Sequence, residues 1–120
     1  MLTKDKTMER NNKSVQIAGH LKTVILSGFP TVESLAALHH ISVSKMMRDF
    51  KDTFGTGPYL YFRRLQMEFA EEYIRRTGCS KKQMAFVLGF SNPANYTSCY
   101  NRYLDNKVKI ADELTTAEAR

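Results

Sequence analysis

From Ser14 onward, apolar and polar residues alternate with the period of a helix rather than a strand. Ile17, Leu21, Val24 and Ile25 recur at helical spacing until Ser27-Gly28-Phe29-Pro30 ends the run, which predicts a first helix. Thr31 is a good N-cap for a short helix with Val32, Leu35, Ala36 and His39 inward, followed by a turn over 39–42. Ser42 then caps a longer helix in which Met46, Phe50 and Phe54 share a face, with Met47 at its margin and Gly55 as the stop. Two helices meeting through so short a turn predict a helix-turn-helix.

Gly57-Pro58 opens a long helix that reaches about Arg76 and ends at Thr77-Gly78. Its apolar residues, from Leu60, Tyr61 and Phe62 through Leu65, Met67, Phe69 and Ala70 to Tyr73 and Ile74, cover two faces. Such a helix can pack against two bodies. Glu71 with Arg75 and Glu72 with Arg76 are i,i+4 pairs that read as support for a solvated strip.

The first pattern then repeats. Ser80-Lys81-Lys82-Gln83 has the form of a capping box, opening a short helix with Met84, Ala85, Val87 and Leu88 inward, and Gly89-Phe90-Ser91 makes a turn. Asn92-Pro93 reads as N-cap and first residue of a further helix, on which Tyr96, Cys99, Tyr100 and Tyr103 share a face. The expected organisation is a polar, flexible segment over 1–13, a folded domain over 14–104 and a tail over 105–120. Within the domain, a first unit over about 14–56, a linker helix over about 59–76 and a second unit over about 79–104 are expected. The tail is expected to be partly helical around 110–114. The fold class is all-α.

Composition narrows the function classes. The 120 residues carry 18 Lys and Arg against 12 Asp and Glu, a net charge of +6, which favours polyanionic partners. The excess lies in residues 1–30 (five basic against two acidic) and 31–104 (ten against six), while residues 105–120 are slightly acidic (three against four). Cys79 and Cys99 form no CxxC, and no secretory signal precedes them, so reduced thiols in a cytosol are expected. No apolar run approaches a membrane span, so a cytoplasmic protein without membrane contact is expected.

Catalytic and metal chemistry find no constellation. The histidines are His20, His39 and His40, and none sits in a Cys/His/carboxylate cluster with metal-ligand spacing. Cys99 falls on an apolar helix face, as a core residue would, and no Gly-rich phosphate loop is present. No enzyme activity, cofactor or metal is expected. The competing reading is a helical protein-interaction module without specific DNA binding, because the same amphipathic patterns pack against protein.

In their joint order and spacing, several features resemble the DNA-binding domain of the AraC/XylS family of bacterial transcription regulators, over roughly 17–104. They are Leu35-Ala36, the Ile41-Ser42 turn, Met46-x-Arg48-x-Phe50-Lys51 ending at Gly55, and Gly57-Pro58 with Tyr61 and Ala70. Ser80, Met84-Ala85, Leu88-Gly89-Phe90-Ser91, Tyr96 and Tyr100 complete the set. The resemblance implies about seven helices: two helix-turn-helix subdomains joined by a linker helix, with recognition helices at 43–54 and 93–104. It implies double-stranded DNA and RNA polymerase as partners, transcription activation, and an effector or dimerisation domain that would lie elsewhere if this chain is a fragment. The chain departs from the family at Gln66 and Ser98, where arginines are usual, at Asp49, where an apolar residue is common, and at Asp105-Asn106-Lys107-Val108, which replaces a closing glycine.

On the first recognition helix Ser44, Lys45, Arg48 and Lys51 lie away from the apolar centre of a wheel of about 100° per residue. Arg48 is the best candidate for a bidentate contact to guanine, and the resemblance adds Ser44 and Met47 as base-facing. Met47 is equally readable as packing, and Arg48 as a phosphate contact. Lys45 and Lys51 suit phosphates. The outward arc of the second helix holds Ala94, Thr97, Ser98 and Asn101, base-facing candidates that carry no charge. Lys81, Lys82 and Arg102 are the phosphate candidates beside it, or simply solvated residues. Readout is therefore expected to be asymmetric, with the first unit dominant.

Overall fold

One face of the opening helix is dry. Ser14, Ile17, Ala18 and Leu21 succeed one another at spacings of three or four residues or as neighbours, and all four are buried. The computed structural model describes residues 2–119, with side chains over 12–109. Among them are six helices and no strand: α1 (Leu2–Thr23), α2 (Val32–Leu38), α3 (Val43–Phe54), α4 (Pro58–Thr77), α5 (Lys81–Val87) and α6 (Pro93–Ala119). The expected flexible lead over 1–13 falls almost wholly on residues whose side chains lie outside the described ones.

The chain divides into two compact units, the first up to Gln66 and the second from Met67. In the first, Ile17, Ala18 and Leu21 of α1 form one core with Leu35 and Ala36 of α2, Met46 and Phe50 of α3, and Phe62 of α4. Phe50 packs against Phe54 with the rings tilted at 41° and 4.7 Å apart, and meets the edge of Tyr61 at 5.3 Å, between ring centroids. Full burial of a side chain such as Phe50 or Phe62 contributes about 1.5–3 kcal/mol, so these aromatics anchor α3 and α4 into the unit. In the second unit the buried set is Met67 and Ala70 of α4, Met84, Ala85 and Leu88 on and just after α5, and Tyr96 of α6. Phe90, Tyr96, Tyr100 and Tyr103 follow one another in contact.

Both turns are built by the same hydrogen bonds. The α2 end is a Schellman motif, in which the Ile41 N–H donates to the Ala36 carbonyl at 3.0 Å and the His40 N–H to the Ala37 carbonyl at 3.1 Å. After α5, Phe90 donates to Ala85 at 2.9 Å and Gly89 to Phe86 at 3.1 Å. The left-handed residue is Gly89 (φ 78°) in the second turn but His40 (φ 56°) in the first. Thr31 and Ser42 cap α2 and α3 through their hydroxyls, and Ser80 with Gln83 closes the expected capping box on α5.

Three details differ from the sequence pattern. The periodicity carried the first helix through Ile25, but α1 stops at Thr23 and the chain turns, with Gly28 donating to the Val24 carbonyl at 3.2 Å. Buried Gln66 provides a reason: its amide donates to the Ile25 carbonyl at 2.9 Å, satisfying that group outside any helix. Six helices are described rather than about seven, because α6 continues through Asp105-Asn106-Lys107. No glycine or proline follows Pro93, so nothing interrupts its hydrogen-bond ladder. Finally, Glu72 engages Arg75 at 2.6 Å and Glu71 receives Lys107 of α6 at 2.8 Å, in place of the i,i+4 partners expected.

Candidate nucleic-acid interface

Helix α3 presents a polar face because its apolar residues are used up inward. Met46, Asp49 and Phe50 are buried, and Ser44, Lys45, Met47, Arg48 and Lys51 are exposed. Ser44, Met47, Arg48 and Lys51 follow at i, i+3, i+4 and i+7 and so line one side of the helix. Arg48 and Lys51 make no side-chain hydrogen bond or ion pair among the described residues. Met47 is 38% exposed, yet its Cε lies 3.5 Å from where a Cβ on Gly57 would stand, so it both faces solvent and leans on the turn before α4.

Lys45 is different. Its ammonium lies 2.9 Å from Oδ2 of Asp49, one turn later, and the two side chains are 52% and 5% exposed. The buried carboxylate at a position usually apolar in the resembling family thus draws a lysine toward it. The i,i+4 spacing of Lys45 and Asp49 is visible in the sequence; the burial of Asp49 is not.

Aligning the two N-caps, Ser42 and Asn92, gives the α6 counterparts of the α3 stripe. Asn92 caps α6 through its side chain, accepting from the Asn95 N–H at 2.8 Å. Fifty positions on from the α3 stripe stand Ala94, Thr97, Ser98 and Asn101. Ala94, Ser98 and Asn101 are exposed and Thr97 is half-buried. The counterpart of Arg48 is therefore Ser98, and that of Lys51 is Asn101. The cations of the second unit stand off this stripe: Lys81 and Lys82 are exposed directly after the Ser80 cap, and Arg102 is exposed on α6.

Gln66, where an arginine is usual in the resembling family, is not at a surface. It is fully buried, accepts from Nη1 of Arg63 at 2.6 Å and donates to the Ile25 carbonyl. Arg63 in turn donates through Nε to the Tyr59 hydroxyl at 3.0 Å. The partners of Gln66 at Ile25 are 41 residues away, which no local spacing reveals.

Beside the first turn, Nδ1 of His20 and Nε2 of His39 approach to 3.4 Å. Burial, and then the neighbouring His20, Lys13 and His40, lower the His39 pKa below its ordinary 6.5. No group of three or more His, Cys, Asp or Glu among the described residues is arranged to hold a metal ion. In the second unit, burial pushes the Tyr96 phenol up to about 12. No described helix is long and apolar enough to cross a membrane.

A family model described as a helix-turn-helix domain matches residues 35–107, more than half of the chain, spanning α3, α4 and α5 and parts of α2 and α6. Neither curated proteins nor solved structures give a significant match.

Proposed function

The chain belongs to the AraC-type family of helix-turn-helix domains, a DNA-binding family of transcription regulators, and on that premise we propose that it binds double-stranded DNA sequence-specifically and activates transcription. The observation that carries this reading is the free stripe of Ser44, Met47, Arg48 and Lys51 on α3, in which both cations lack a partner among the described residues. Arg48 reads a base, with guanine O6 and N7 as its natural target. Lys51 holds a phosphate, a contact that positions without specifying. On α6 the matching stripe contributes a methyl or hydroxyl surface through Ala94, Thr97 and Ser98, and an amide through Asn101, with Lys81, Lys82 and Arg102 as flanking phosphate contacts.

A helix of 20 residues such as α4 is about 30 Å long, close to the separation of about 34–36 Å between successive major grooves on one DNA face. The reading places one recognition helix of each unit in a major groove. Because charge is concentrated on the α3 stripe, the first unit dominates specificity. RNA polymerase is the further partner of an activator, the cytoplasm its place of action, and an effector or dimerisation domain would be a separate part of the regulator.

Binding-site selection with the purified chain tests the reading. Two selected blocks about one helical turn apart are expected, and Arg48→Ala should relax preference at one base pair by about 1–3 kcal/mol. Lys81→Ala should weaken binding to all sequences alike. Unchanged site preference in Arg48→Ala would remove Arg48 from the readout. The protein-interaction reading has one observation in its favour, Phe86, which is 86% exposed on α5. It predicts little duplex affinity and no steep salt dependence.

A further inference from the structure

We infer that His20 and His39 form a proton-operated joint between α1 and the turn that leads into α3, and that acidification opens it and lowers sequence-specific DNA binding by the first unit. The inference deepens the DNA-binding reading above and rests on it. The turn over 39–42 is pinned to α1 at two neighbouring points. Nδ1 of His20 approaches Nε2 of His39 at 3.4 Å, with both side chains half-buried. One residue on, the Lys13 ammonium donates to the His40 carbonyl at 3.2 Å, where the backbone is left-handed. Ser42, which ends the same turn, caps the helix that carries Ser44, Met47, Arg48 and Lys51.

The gap between the two rings takes one hydrogen. Two neutral imidazoles, or one neutral and one protonated, fill it with an N–H against a lone pair. When both are protonated, each ring brings a donor and a charge, and no acceptor is left. The charges that act on His39 are those of His20 and Lys13 from α1 and of His40 from the turn itself; all are bases, and no carboxylate is among them. Together with burial they hold the His39 pKa below its ordinary 6.5, so the second proton arrives on a pair that resists it. The turn accommodates that proton by leaving α1, which takes the α3 stripe out of position. The sign separates this joint from a histidine on phosphate, which tightens binding as pH falls because the added charge attracts the duplex.

The test compares affinity for a selected site with affinity for an unrelated duplex, at one salt concentration, from about pH 7.5 down to about pH 5, with circular dichroism at each pH. In the wild type the ratio of specific to non-specific affinity should fall by up to about tenfold per pH unit below the titration of the pair, the limit for one linked proton. His39→Gln and His20→Asn keep an amide in place of a ring nitrogen but do not titrate. Both should bind as the wild type does at the upper pH and keep their ratio at the lower. His40→Asn, which leaves the pair intact and tolerates the left-handed backbone, should retain the wild-type fall. A wild-type ratio constant to within about twofold across the range, or a fall shared by His39→Gln and His20→Asn, would overturn the inference while leaving the DNA-binding reading intact. So would a global loss of helical signal in the wild type over the range, which is acid unfolding in place of a local joint. A wild-type chain with no preference for any duplex site at the upper pH would overturn both. Should one of the two pair variants fail to fold, the other decides the comparison.

Discussion

Tyr96 is the largest fully buried side chain of the second unit, and its hydroxyl has no hydrogen-bond partner among the described residues. Taking a hydroxyl out of water without a replacement bond costs about 1–3 kcal/mol. The ring itself is well placed: it meets Phe90 edge-on at 5.6 Å and stacks on Tyr100 at 5.7 Å, between centroids. Tyr96→Phe keeps both ring contacts and removes only the oxygen. Stability should therefore rise by about 1 kcal/mol or more, or about 4 °C in Tm per kcal/mol for a domain of this size. Alkaline titration supplies a second readout. The folded phenol, pushed up to about 12 from the usual 10.0, binds its proton more tightly than the unfolded one. Wild-type stability is thus full below pH 10 and falls as pH rises through the folded value; Tyr96→Phe should lose that component. Urea unfolding followed by circular dichroism measures the gain, and amide exchange over residues 84–88 assigns it to the second unit. If Tyr96→Phe instead lost 1 kcal/mol or more at neutral pH, the hydroxyl would be bonded and the reasoning refuted.

His40→Gly should stabilise the first unit by up to about 1 kcal/mol, because a left-handed backbone costs an ordinary residue about 1–2 kcal/mol and glycine returns part of that in unfolded-state entropy; a lower thermal midpoint would show that His40 contributes more than its backbone conformation. The lowered His39 pKa makes folding weaker as pH falls, with full stability above 6.5 and progressive loss through the folded value. His39→Gln should flatten that acid limb in a pH series of unfolding curves, and an unchanged limb would move its origin elsewhere. Gln66→Leu should cost about 1–3 kcal/mol, since the Ile25 carbonyl loses its donor; equal stability of wild type and Gln66→Leu would remove Gln66 from the loop's support.

Periodicity and capping residues alone determined most of the architecture. Thr31, Ser42 and Ser80 act as the caps their identities suggested, and the apolar positions Leu35, Met46, Phe50, Met84 and Tyr96 are the buried ones. These are local matters: a hydroxyl beside a free N–H, and a stripe of apolar side chains at 3.6 residues per turn. The polar stripe on α3 was legible for the same reason, being what remains when the apolar side is spent. Tertiary structure decided the rest. That α1 stops at Thr23 depends on turn geometry at Gly28 and on Gln66 reaching Ile25 from a distant helix. That Glu71 pairs with Lys107 depends on α6 continuing as a helix past Leu104. Whether Lys45 is a free cation or a tethered one depends on the burial of Asp49, which the core around α3 imposes and no spacing along the chain expresses.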